Sequence, residues 1–177
     1  DYNSNHTVFA SVRYGNVIAS RGSFIPLWMS AIKNGQTINV TSTEMTRFLF
    51  TLEDAVDSVL SSLENAIGGE VFIPKIDSYT LPQCVGAIRA ILNAPVQTKI
   101  SGIRPGEKLH EDMLAKTELP FTYEVEGTNL LQVRPQYTSK NYQEFKKYNG
   151  QEFNSSLWVQ HDKEKLLYLI NKGLDCS

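Results

Sequence analysis

The sequence predicts an α/β fold, and three observations carry that prediction. Short runs rich in β-branched and aromatic residues alternate along the chain with amphipathic runs of helical spacing. The boundaries between them hold capping or turn residues rather than continuous polar tracts. The chain has 177 residues, 41% hydrophobic and 20% charged, which suits one domain with a sizeable core.

Residues 6–14 (HTVFASVRY) read as a strand. Gly15-Asn16 and the segment with Ser20, Arg21, Gly22 and Ser23 carry turn chemistry. Residues 25–33 (IPLWMSAIK) predict a helix, with Pro26 tolerated in its first turn and Gly35 as its stop. Short strands are expected at 37–40 and 47–50. Thr51 is a suitable N-cap for a long helix over 52–66. In it Leu52, Ala55, Val56, Val59, Leu60 and Leu63 follow the spacing of one buried face, and Gly68-Gly69 ends it. Residues 70–74 (EVFIP) predict a buried strand, and Thr80 opens a helix to about residue 92. A strand is expected over 96–103 and a short helix over 109–114, entered through Arg104-Pro105-Gly106-Glu107. Two strands, 121–126 and 129–134, flank Gly127. Residues 136–152 form an irregular polar arm, and a helix over 162–172 closes the chain, capped by Asp162 and stopped by Gly173.

Composition removes several function classes. Seventeen Lys and Arg against nineteen Asp and Glu give a net charge of −2, which argues against a nucleic-acid partner. The apolar runs fall far short of the ~20 residues of a membrane span, and residues 1–6 do not resemble a signal peptide, so a cytoplasmic location is expected. Cys84 and Cys176 form no CxxC or Cys/His cluster, and His6, His110 and His161 are far apart, so no metal ligand is assigned. No glycine-rich phosphate loop follows any strand. No Tyr-x-x-x-Lys pair is expected either, and no catalytic residue is assigned.

The residues that remain point to an anionic ligand. In Gly102-Ile-Arg-Pro-Gly-Glu-Lys-Leu-His-Glu111 a guanidinium stands three residues before a carboxylate on a Pro-Gly turn. A guanidinium fork matches a diphosphate and a carboxylate can accept ribose hydroxyls, although a plain turn with acidic residues at a helix start is the simpler reading. In Met45-Thr-Arg-Phe48 a cation stands at a strand start, and Arg13-Tyr-Gly-Asn-Val17 places an amide near the carboxyl end of one. Exposed charge at a strand end and an Asx-type turn are the alternatives.

Together the strings VRYGNVIASRGSFIPLW, TEMTRFLFTLEDAVDSVL, GGEVFIPKI and GIRPGEKLHEDM resemble extended short-chain dehydrogenase/reductase enzymes acting on nucleotide sugars, most of all the UDP-N-acetylglucosamine 4,6-dehydratases. The resemblance covers about residues 8–115 and continues weakly in FNSSLWVQHDKEKLLYLI. It implies the C-terminal part of a Rossmann-type parallel sheet plus the smaller substrate-binding domain, over 1–135, with an arm and closing helix over 136–177. It implies that Tyr14 lines the nicotinamide pocket and that Asn16 holds the sugar or its diphosphate. Ser23, Ile38 and Val40 would meet the uracil, Arg47 and Arg104 would clamp the diphosphate, and Glu107 would bind the ribose. The cofactor would be NADP, held mainly by an N-terminal half that this chain lacks and that it would need as a partner, within a homo-oligomer. A UDP-sugar C4 epimerase or reductase, and a non-catalytic nucleotide-sugar-binding module, are the alternatives.

Overall fold

The computed structural model describes residues 7–138 and 141–175. In chain order the elements are β1 (Ser11–Val12), β2 (Asn16–Val17), α1 (Phe24–Lys33), β3 (Ile38–Val40), β4 (Thr46–Phe50), α2 (Leu52–Asn65), β5 (Val71–Pro74), β6 (Ser78–Thr80), α3 (Leu81–Leu92), β7 (Thr98–Ile100), β8 (Asp112–Leu114), a 3-10 helix (Lys116–Phe121), β9 (Thr122–Glu124), β10 (Leu130–Val133), β11 (Phe153–Asn154) and α4 (Lys163–Asp175). The α/β class stands, with β1/β5, β2/β4 and β3/β7 pairing in parallel. No helix among the described residues is long and apolar enough to cross a membrane. The chain divides into two compact units. One comprises the chain up to Tyr14, Asp54–Lys75 and Asp112–Asn154, and the other Gly15–Glu53, Ile76–Glu111 and the chain from Ser155 onward.

The first unit holds a four-stranded sheet in the order β1-β5-β10-β9. Of the strand expected over 6–14, the ladder keeps Ser11 and Val12 at its edge, and His6 lies outside the described residues. Phe72, Val125 and Leu130 form a buried cluster against Val12, Ala66 and Phe145. Gly127 adopts a φ of 72° in the turn between β9 and β10, the two strands expected to flank it. The arm after β10 is irregular but anchored. The Arg134 guanidinium sits 3.9 Å from the Tyr123 ring centre and 4.8 Å from that of Tyr142, and it donates to Gln143 O at 2.7 Å.

Helix α2 turns most of its expected buried face outward and keeps Ala55 of it buried. It buries Ala55, Ser58 and Ser62, while Leu52, Val56, Leu60 and Leu63 are exposed, Leu63 at 69%. Both buried hydroxyls are satisfied inside the helix. Ser58 Oγ donates to Asp54 O at 2.7 Å and Ser62 Oγ to Ser58 O at 2.6 Å.

The second unit packs α1, α3 and α4 around Ile25, Trp28, Tyr79, Ile88, Leu166 and Ile170. Helix α1 starts one residue before the expected 25, and Gly35 follows it at a φ of 67°. Helix α3 has the capping box its sequence allows. Gln83 N donates to Thr80 Oγ1 at 3.3 Å, and Thr80 N to Gln83 Oε1 at 2.7 Å. Asp162 caps α4 by accepting from Lys165 N at 3.0 Å. Gly173 does not stop that helix, which runs to Asp175. A Cβ at Gly173 would lie 2.5 Å from Ile18, so the glycine serves close packing.

Two further expectations are corrected here. Gly15-Asn16 is not a turn, because Asn16 and Val17 pair with Leu49 and Phe50. Glycine is required at 15 by proximity, since a Cβ there would lie 2.7 Å from both Ile76 and Phe48. Residues 109–114 are not a helix, because their backbone groups bond across the chain instead of locally. Leu109 O accepts from Thr46 N at 3.2 Å and Glu111 O from Ser155 N at 2.8 Å. Strand β8 follows, antiparallel to β11.

Candidate functional site

The second unit brings the expected cations and carboxylates together. Strand β4 pairs antiparallel with β6, opposing Arg47 to Tyr79, and this fixes Arg47 beside the 104–111 loop. A cavity of about 230 Å³ opens there, lined among others by Trp28, Asn39, Thr41, Arg47, Arg104 and Glu107. Its apolar side comes from α1 and its charged side from the loop and β4. A planar apolar group and an anion could be accommodated side by side.

The two arginines differ in what they already hold. Arg47 Nη1 donates to Thr46 O at 2.8 Å and to Leu109 O at 3.2 Å, and Nη2 to Lys108 O at 3.0 Å. Its guanidinium also lies 3.5 Å from Glu107 Oε1 and 3.7 Å from Glu111 Oε1, with a side chain only 12% exposed. Arg47 therefore staples the loop to β4. The Arg104 side chain is exposed and has no partner among the described residues. Glu107 closes the turn: its amide donates to Arg104 O at 3.0 Å and its Oε2 accepts from Arg104 N at 3.4 Å. Glu107 thus holds the turn while lining the cavity.

Glu111 is the acceptor the sequence reading did not single out as a site residue. Its carboxylate accepts from Asn16 Nδ2 at 2.9 and 3.0 Å and from Phe48 N at 3.0 Å. Its own amide donates to Ser155 Oγ at 2.8 Å. That hydroxyl lies 2.6 Å from Thr46 Oγ1, which is 2.8 Å from His110 Nδ1. The available signal was the repeat of Glu107 four residues on, which puts a second carboxylate at the far end of the same loop.

The remaining expected residues are placed differently. Ser23 stands at the N-cap of α1 with a buried hydroxyl that has no hydrogen-bond partner. Ile38 and Val40 point into the core at 2% and 3% exposure, and Asn39 between them is the β3 residue that lines the cavity. Tyr14 belongs to the first unit and is 44% exposed. The Tyr-x-x-x-Lys spacing, expected to be absent, occurs twice. Tyr142–Lys146 lies in the irregular arm, where the tyrosine hydroxyl donates to Gly68 O at 2.9 Å. Tyr168–Lys172 lies on α4, where the lysine pairs with Glu53 at 2.7 Å and the tyrosine is 65% exposed. Neither tyrosine lines the cavity. Among the described residues no group of three or more His, Cys, Asp or Glu could hold a metal ion.

Residues 1–132 match the family model described as polysaccharide biosynthesis protein. The chain is 44% identical over 125 residues to a UDP-N-acetylglucosamine 4,6-dehydratase (inverting) of Campylobacter jejuni, covering 70% of this chain and 36% of that protein. It is 40% identical over 116 residues to a UDP-glucose 4-epimerase of Rickettsia rickettsii, covering 66% of this chain and 34% of that protein. The X-ray structure of Pen from Bacillus thuringiensis superposes with a TM-score of 0.82 at 30% identity, covering 96% of this chain and 50% of that one. The chain thus spans about a third of the length of these curated relatives and half that of the solved protein.

Proposed function

Because the chain belongs to the polysaccharide biosynthesis protein family, we propose that it is the UDP-sugar-binding portion of a UDP-N-acetylglucosamine 4,6-dehydratase. The observation that carries this reading is the unpartnered Arg104 guanidinium beside Glu107 and Arg47 on one cavity. Arg104 is the fork for the diphosphate, assisted by Arg47, and Glu107 accepts from the ribose. The α1 start at Ser23 and the β3 segment of Ile38 and Val40 flank the uracil. Asn16 meets the sugar or its diphosphate, and Tyr14 the nicotinamide.

The product is a 4-keto-6-deoxy sugar nucleotide, which requires hydride to leave C4, water to leave across C5–C6 and hydride to return at C6. The C. jejuni relative, described as inverting, supports a version that also inverts C5. NADP, when bound, supplies the hydride relay. This chain offers it Tyr14, the rest of the cofactor site and the acid/base groups come from a partner segment within a homo-oligomer, and the chain by itself turns nothing over. Incubating the chain with UDP-N-acetylglucosamine and NADP tests this division. No product by NMR together with measurable UDP binding is expected, and turnover by the chain alone contradicts it. A UDP-sugar C4 epimerase is the second reading, favoured by the Rickettsia relative. Product analysis of the assembled enzyme separates the two.

A further inference from the structure

The hydrogen bonds around Asn16 say more than that an amide is present. Three acceptor atoms surround one end of its side chain: Phe48 O at 3.1 Å and the two Glu111 carboxylate oxygens at 2.9 and 3.0 Å. A carbonyl and an ionised carboxylate cannot donate, so the atom facing them must be the NH2 group, and both of its hydrogens are used. The remaining valence of the side chain is Oδ1, which accepts and cannot donate, and which has no protein donor among the described residues. An acceptor repels a phosphate oxygen and welcomes a hydroxyl or an amide N–H.

We infer that Glu111 is a positioning residue that locks the Asn16 amide with Oδ1 outward, so that Asn16 recognises a hydrogen-bond donor on the sugar and not the diphosphate. Glu111 is suited to this because it is itself held by Phe48 N and Ser155 Oγ, and it lies 3.7 Å from Arg47 Nε. The same carboxylate bonds the Asn16 amide directly, whereas Arg47, which staples the loop, is held by Thr46 O, Leu109 O and Lys108 O. The inference rests on the UDP-sugar reading for its ligand, but the amide orientation does not.

Two measurements on the full chain separate these levels. In 15N spectra the Asn16 side-chain NH2 signals should shift in Glu111→Gln and in Glu111→Ala, each of which removes the paired carboxylate acceptors. Signals insensitive to both substitutions overturn the orientation whether or not any nucleotide binds. In calorimetry with UDP and UDP-N-acetylglucosamine, Asn16→Ala should weaken the UDP-sugar about 3- to 10-fold, the range of one neutral hydrogen bond, and change UDP less than 2-fold. Equal losses for both ligands place the contact on the diphosphate and overturn the inference. Glu111→Gln should cause a similar selective loss on its own and little further loss when added to Asn16→Ala. A purely structural role would lower UDP affinity equally in both backgrounds. If wild type binds no UDP while the amide signals respond, the nucleotide reading falls and the orientation stands.

Discussion

Arg47 and Arg104 show how two identical side chains acquire different work. Arg47 is nearly enclosed by three carbonyls and two carboxylates, so its charge is already balanced before any ligand arrives. Its replacement by Ala would strip the loop of its staple and cost about 2–5 kcal/mol of binding or stability, read as a loss of both melting temperature and UDP affinity. Cys84 illustrates the opposite extreme. It is fully buried, and burial pushes its thiol up to about 12, so it stays protonated and inert at pH 8. Site-resolved alkylation should modify the Cys84 peptide only after denaturant is added; labelling in the native chain would contradict this. Arg13 and Glu118 form a bidentate pair at 2.7 and 2.8 Å, which lowers the Glu118 carboxyl below its usual range. A depressed carboxyl contributes stability above the unfolded value of ~4.3 and loses it as pH falls through the folded value. The melting temperature of Glu118→Gln should therefore fall less steeply than wild type between pH ~5 and ~3.

At the scale of elements, α2 makes the sharpest test of packing. Ala55 is buried, so Ala55→Leu should overpack and destabilise by ~1–3 kcal/mol in urea unfolding. Leu60→Glu with Leu63→Glu should change stability by less than ~1 kcal/mol in urea unfolding. A large loss of stability would mean that the apolar face is buried after all. Helix α2 also marks where sequence reading failed. Its leucines follow perfect helical spacing, but spacing identifies a face and not the side on which the protein lies. Helices α1 and α3 were legible because local signals settle them: Pro26 and Gly35 for one, Thr80 at the start of the other. Residues 109–114 were not legible, since their partners Thr46 and Ser155 lie 63 positions before Leu109 and 44 beyond Glu111. At the site, Arg47, Arg104 and Glu107 were legible as charges on turns and strand ends. Glu111 and Asn39 were not, because their meaning depends on which neighbours tertiary folding brings to them.

At the scale of the whole molecule, the 104–111 loop takes its conformation from being held by distant parts of the chain. Three pieces of chain distant in sequence converge on it: β4, the α1 start and the segment at Ser155. The proposal turns on the Arg104 guanidinium, which has no partner among the described residues, meeting a nucleoside diphosphate. Calorimetry with UDP on wild type, Arg104→Ala and Arg104→Lys tests that most directly. Loss of a charge-assisted bidentate contact, roughly 1.5–3 kcal/mol, should weaken Arg104→Ala about 10- to 150-fold, with Lys recovering only part because a point charge cannot reproduce the fork. Unchanged UDP affinity in Arg104→Ala would contradict the claim and leave the loop as a structural turn.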